Sequence, residues 1–231
     1  PDDQPAKQRF LTQLQGKYKT IEALNKSWGT TASSFETLRE PAMEDATEGS
    51  KADIDQFRAE FAQRFYSVWY RAIKSADPNH LILGSRLCDR HEEVIKACAD
   101  NTDVVSFNYY GVNIDRQEYD RYQRLANKPF LMGEFGFDSM DRGLQTAFVP
   151  VANQEARGMS YSNYMEQLAS MPYFVGGHYF QYIDEPITGR VPDRETAFNG
   201  LVTVTDTPAT ELVEHAKRTN RRVYEFHKRS H

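Results

Sequence analysis

Apolar positions recur at helical spacing through the first third of the chain and condense into short runs from residue 81 onward. Pro5 suits a first helical turn, and Phe10, Leu11 and Leu14 continue a helix to about Lys17. Thr20 to Leu24 opens a second short helix through Trp28, stopped by Gly29. Ser33 to Pro41 reads as irregular, and the acidic stretch Met43 to Ser50 as an exposed loop. Phe57, Phe61, Phe65, Trp69 and Ile73 form an i, i+4 stripe, which predicts a long helix from about Lys51 to Ala76 with that stripe buried. Asp77-Pro78-Asn79 ends it.

From there the pattern alternates. Strands are predicted at Leu81 to Leu87, Val104 to Tyr110, Phe130 to Phe137 and Val175 to Ile183. Helices are predicted at Arg90 to Ala99, Asp115 to Ala126, Gln154 to Met171 (Met159, Tyr164 and Leu168 inward) and Thr207 to about His227 (Leu212, Val213, Ala216 and Val223 inward). Strands separated by helices of 10 to 20 residues mean βαβ units and a parallel sheet. Four such units are half of an eight-stranded barrel, and a four-stranded doubly wound sheet is the alternative. No GxGxxG or GxxxxGK[ST] follows any strand, which weakens a nucleotide-binding version.

Within this frame the run Leu131-Met132-Gly133-Glu134-Phe135-Gly136-Phe137 carries the most chemistry. It reads as a buried parallel strand, and Lys128-Pro129 before it is pushed out of helix. A glutamate there is costly to desolvate and needs a reason. At the C-terminal mouth of a β/α barrel the usual reason is catalysis, here as a glycosidase nucleophile. The competing reason is a structural pair with an arginine. Glycines on both sides allow close backbone approach.

Other candidates fall at strand ends. Asn108, Tyr109 and Tyr110 close the preceding strand, and a tyrosine hydroxyl, first of all that of Tyr109, is expected to donate to Glu134 and hold it ionised. Arg86 and Asp89 suit substrate hydrogen bonds or a rim salt bridge. On the last strand, alternation separates His178, Phe180 and Tyr182 from Tyr179, Gln181 and Ile183. The polar members, with His178, Gln181 and Tyr182 foremost, suggest a substrate-lined pocket. Asp184-Glu185-Pro186 is the only paired-carboxylate run near a strand end and reads as a solvated loop.

Composition narrows the partners. With 28 Lys+Arg against 33 Asp+Glu the net charge is −5, and no basic block suggests nucleic acid. A neutral substrate fits. Aromatic residues at 13% suit stacking on sugar faces, though core packing accounts for most of them. Cys88 and Cys98 give no disulfide framework and are expected to be free. His80, His91, His215, His227 and His231 lack HxH or HExxH spacing, so no zinc site is expected. Asp138, Asp141 and Asp193 are loop oxygens without an EF-hand pattern. No cofactor is implied. No stretch approaches the ~20 apolar residues of a membrane span, and no secretory signal is visible. The opening Pro1-Asp2-Asp3-Gln4-Pro5 reads as a processed or cut start.

The motifs VVSFNYYG, KPFLMGEFGF, GGHYFQYIDEPITGR and NGLVTVTDTPATELV resemble the C-terminal half of the catalytic barrel of glycoside hydrolase family 50, the β-agarases. The opening QPAKQRFLTQLQGKYKTIEALNKSWGT is similar to the segment after the fourth barrel strand there, and echoes family 42 β-galactosidases. The resemblance spans essentially residues 1–231 as one partial domain. It implies a (β/α)8 barrel of which strands five to eight are present. It also implies retaining hydrolysis of β-galactosidic bonds in agarose-type galactans, with Glu134 as nucleophile and Tyr109 or Tyr110 as the tyrosine of the sixth strand. A polysaccharide substrate implies a secreted or periplasmic protein.

The family's acid/base glutamate follows an asparagine, and no Asn-Glu dipeptide occurs in this chain. Retention needs two carboxyls ~5–5.5 Å apart, and acid/base assistance is typically worth ~10²–10⁴-fold. The polypeptide alone is therefore expected to be nearly inactive. Its sheet would carry two open edges, expected to pair with the N-terminal half of the barrel or with a second copy. A β-galactosidase of the same clan and a non-catalytic carbohydrate-binding relic are the alternatives.

Overall fold

The computed structural model describes residues 4–39, 42–142, 148–191 and 193–228. Pro1, Pro41 and His231, touched on above, lie outside them.

Three helices come first: α1 (Pro5–Tyr18), α2 (Ile21–Trp28) and α3 (Glu48–Ala76). Thr20 caps α2 from its side chain, and Gly29 ends it in the left-handed conformation, where glycine carries no Cβ penalty. These helices enclose a small separate core of Leu14, Leu24 and Trp28. Beneath it Asp53 is buried, accepting from Lys17 Nζ (2.6 Å), Tyr18 Oη (2.6 Å) and Trp28 Nε1 (2.9 Å). Burial pushes the Asp53 carboxyl up, but these three donors outweigh it and hold it below the usual range.

The second half follows the βαβ pattern. Helix α4 (Glu92–Asp100) leads into β1 (Val105–Asn108), α5 (Arg116–Ala126) and β2 (Phe130–Phe135). A small parallel pair, β3 (Asp138–Ser139) and β4 (Pro150–Val151), intervenes. Then come α6 (Gln154–Ala169), β5 (Phe174–Tyr179), α7 (Thr210–Arg221) and α8 (Val223–Lys228). The main sheet has the order β1-β2-β5, all parallel. Asp115 caps α5 with bonds from Gln117 and Glu118, and Asn127 ends it in the left-handed region just before Pro129 and β2. Phe107, Phe130 and Phe174, one per strand, pack edge-on to each other and to Tyr119 of α5. Burying each such ring is worth ~1.5–3 kcal/mol.

Several expectations need correction. The segment Leu81 to Leu87 runs beside β1 but is not a strand. Only Leu87 forms a bridge, to Phe107. Gly84 (φ +77°) and Arg86 (φ +54°) interrupt the extended run with left-handed backbone. The β3–β4 pair had no periodic signal. The final helix is two helices, broken at Arg222. Helix α3 exists, but its aromatic stripe is not buried: Phe61 is 53% exposed and Trp69 56%. Its inward face is instead Ala62 and Tyr66, which joins the main core. Met159 likewise faces out, while Tyr164 and Leu168 are buried.

Candidate active site

Glu134 sits near the C-terminal end of β2, the central strand, and a bulge aims it. Phe107 pairs with Met132, but Asn108 pairs with Glu134, so Gly133 is the extra residue. Met132 and Phe135 are both fully buried in the core although three positions apart. Strict alternation would set them on opposite faces; the bulge brings both to the helix side, where Phe135 stacks on Tyr164 at 4.3 Å. Glu134 turns to the other face. Bulges beside active sites re-aim side chains in this way.

The carboxylate is 19% exposed and held at both oxygens. Tyr110 Oη donates to Oε2 at 3.0 Å. Arg86 Nη2 donates to Oε1, and also to the Gly133 carbonyl at 3.4 Å, while Arg86 Nε donates to Asn108 Oδ1 at 3.4 Å. Burial, then the neighbouring Glu134 charge, pushes the Tyr110 phenol far above its ordinary range. It therefore stays a donor throughout the accessible pH range. Tyr110 in turn stacks on Phe148 at 4.2 Å, Phe148 meets Phe180 edge-on at 5.6 Å, and the Arg190 guanidinium lies 5.2 Å over Phe180.

Thus Glu134, Tyr110, Asn108 and Arg86 come together as one cluster. The tyrosine assignment changes: Tyr109, expected to face Glu134, turns away. Its hydroxyl donates to the Asn113 carbonyl at 3.1 Å, and its ring lies under Arg90. Both tyrosines follow the end of β1 at Asn108, and only Tyr110 reaches the carboxylate. Arg86, expected on substrate or in a rim salt bridge, forms a salt bridge with Glu134 itself. The arginine partner that the sequence left open as the competing reason for Glu134 is present.

The remaining candidates do not join the cluster. His178 and Tyr182 are exposed, and Gln181 Nε2 faces Glu185 Oε1 at 3.5 Å. Asp89 and Asp141 are exposed. Asp184 and Glu185 are not solvated but buried. Asp184 accepts from the Gly200 N–H at 2.8 Å, and Glu185 from the Ala197 N–H at 2.7 Å. They fasten the loop between β5 and α7 to itself, since a buried carboxylate needs such donors. Phe148 and Phe180 were missed. Phe180 falls in the alternation of the last strand, but Phe148 lies outside every predicted element and carries no signal. Cys88 is exposed, Cys98 is buried, and both are free. Among the described residues no three His, Cys, Asp or Glu side chains gather as a metal shell.

The central strand of a parallel α/β sheet thus ends in one carboxylate clamped by a phenol and a guanidinium. A family model described as beta-galactosidase, glycoside hydrolase family 42, matches residues 3–223. Beta-agarase B of Vibrio sp. (strain JT0107) is 38% identical over 226 residues, 95% of this chain and 24% of that protein. Beta-agarase A of the same strain is 35% identical over 230 residues, 95% of this chain and 23% of that one. A solved exo-beta-agarase superposes with a TM-score of 0.83 at 38% identity, covering 96% of this chain and 31% of the other. The chain belongs to the glycoside hydrolase family of that model, and the curated relatives it matches are named β-agarases, as its motifs implied. It spans about a quarter of the length of the curated relatives.

Proposed function

We propose that this chain is the nucleophile-bearing half of a retaining β-agarase-type hydrolase acting on β-galactosidic bonds of agarose-like galactans. The observation that carries this is the clamped Glu134 at the mouth of the central parallel strand, in a chain similar to β-agarases over nearly its whole length. β1, β2 and β5 would be strands six to eight of a (β/α)8 barrel, with the non-strand segment Leu81 to Leu87 in the place of strand five. In the reaction a Glu134 oxygen attacks the anomeric carbon while the aglycone oxygen leaves with the bonding electrons; a second carboxyl protonates that oxygen and later activates water. Of the other carboxylates near the strand ends, Asp184 and Glu185 are bound to backbone N–H groups, and Glu195, whose charge reaches Tyr110, is paired with Arg190. The acid/base is therefore placed on a part of the active enzyme outside this chain, and the chain alone is nearly inactive.

A β-galactosidase reading is favoured by the description of the matching family model. Agarose against aryl-galactoside turnover separates the two. Among the described residues no helix is long and apolar enough to cross a membrane, and a polymeric substrate places the enzyme outside the cytoplasm.

The test of Glu134 uses a substrate that needs no acid. A dinitrophenyl 2-deoxy-2-fluoro-β-galactoside expels dinitrophenolate unaided, and the fluorine slows breakdown of the glycosyl-enzyme. Slow covalent labelling of the chain, mapped by mass spectrometry to Glu134 and absent in Glu134→Gln, is the expected result. Labelling elsewhere, or equally in Glu134→Gln, overturns the assignment. Binding of agaro-oligosaccharides without labelling would support the relic reading.

A further inference from the structure

We propose that Arg86 is the positioning residue of Glu134, and that position 133 is glycine because the Arg86 side chain must lie across it. The proposal rests on the reading of Glu134 as nucleophile, and deepens it.

Arg86 adopts left-handed backbone (φ +54°), a conformation a non-glycine residue keeps only where its surroundings impose it. Here the imposing partner is visible. Ser106 of β1 holds both sides of the kink: its Oγ accepts the Arg86 N–H at 2.9 Å and its carbonyl accepts the Leu87 N–H at 2.8 Å. The kink breaks the ladder and directs the side chain along the sheet rather than out of it. The guanidinium then passes Asn108 on β1 before reaching Gly133 and Glu134 on β2.

Its path crowds position 133, where a side chain would force Arg86 and Asn108 to shift. A Cβ there would sit 2.9 Å from Arg86 Cγ, 3.0 Å from Asn108 Oδ1 and 3.3 Å from Arg86 Nε. The first two are closer than van der Waals contact allows. The bulge at Gly133 and the kink at Arg86 are thus two halves of one device: one turns the carboxylate toward the open face, the other lays over the turn a guanidinium whose Nη2 donates to Oε1 and to the Gly133 carbonyl. With Oε2 taken by Tyr110, the carboxylate plane is fixed from both sides, as attack at a single carbon requires. An arginine without this task, 52% exposed as this side chain is, would extend into water to keep its rotamer freedom.

The test compares wild type, Arg86→Ala, Arg86→Lys, Gly133→Ala and the Arg86→Ala/Gly133→Ala double variant, all as the full chain. One readout is the rate of labelling by the fluorinated dinitrophenyl galactoside. Arg86→Ala and Gly133→Ala should each slow it about tenfold or more, Arg86→Lys less, with melting temperature little changed for Arg86→Ala. The double variant should be no slower than Arg86→Ala alone, since both remove one interaction. Multiplicative losses, or wild-type labelling in Arg86→Ala, overturn the proposal. The second readout is independent of hydrolysis: exchange of the Arg86 Nη–H groups, which face Glu134, by nitrogen-15 NMR. It should be slow in wild type and fast in Gly133→Ala and Glu134→Gln. Should wild type not label at all, the nucleophile reading fails, and the NMR result alone decides on the device; fast exchange in wild type sinks it.

Discussion

Tyr109 and Tyr110 are neighbours of the same type just past β1, yet only Tyr110 reaches Glu134. A hydrogen bond to a charged group is worth ~1.5–3 kcal/mol, so Tyr110→Phe should slow labelling of Glu134 by about 10–100-fold, while Tyr109→Phe changes it less than about twofold. Intact-mass kinetics on the two variants check this. Because burial and the Glu134 charge raise the Tyr110 phenol far above its ordinary value, the labelling rate should show no loss from phenol ionisation up to about pH 10. A fall with a midpoint there that disappears in Tyr110→Phe would contradict that role. Glu185 makes a residue-scale case of a different kind. Its replacement by Ala strands the Ala197 N–H and removes the partner of Asn199. A loss of about 2–3 kcal/mol is expected, measured as a lower urea midpoint.

At the scale of elements, what the sequence revealed depended on whether the information was local. Helix α5 was legible because its limits are written in it: an aspartate cap, an asparagine in left-handed backbone and then Pro129. The position of Glu134 at the end of a buried parallel strand was legible from Phe130 to Phe137 for the same reason. The choice of Tyr110 over Tyr109 was not, because it depends on a bulge, a register between two strands. The burial of Asp184 and Glu185 depends on residues 12 to 16 positions away, and the exposure of the α3 stripe on what lies opposite it. The α1–α3 unit offers its own test. Asp53 is charged and buried, and its carboxyl is held below the ordinary value despite burial, by Lys17, Tyr18 and Trp28. A depressed carboxyl stabilises the fold fully above its unfolded value of about 3.9, and the contribution disappears as pH falls through the lower folded value. Asp53→Asn should therefore be destabilised relative to wild type at pH 7. The gap should narrow below about pH 4, as read by urea unfolding of both proteins at a series of pH values.

On the scale of the whole molecule, the sheet ends twice in open apolar ground. On the far side of β5, Val175 is 64% exposed beside a cavity of about 480 Å³ between α6 and α8, lined by Tyr161, Met165, Leu168 and Tyr224. At the opposite end, Phe65 and Trp69 of α3 flank a smaller groove of about 150 Å³ against Ile82 and Gly84, with Leu81 and Leu83 exposed on the same segment. Unpaired parallel edges with apolar flanks invite pairing with another chain, and both edges run in the same direction, so one partner with two complementary edges can cover both. If the chain has no such partner in solution, a second copy supplies the nearest match, with the β5 edge of each meeting the Leu81 edge of the other. Light scattering at tens of micromolar should accordingly give a mass above the 26.6 kDa of the single chain. Val175→Lys, which places a charge on the β5 edge, and a paired Phe65→Gln and Trp69→Gln, which polarise the other groove, should each lower that mass. A clean monomer for the unaltered chain would remove edge pairing as an account of these surfaces; association that persists unchanged in both variants would move the contact to some other face.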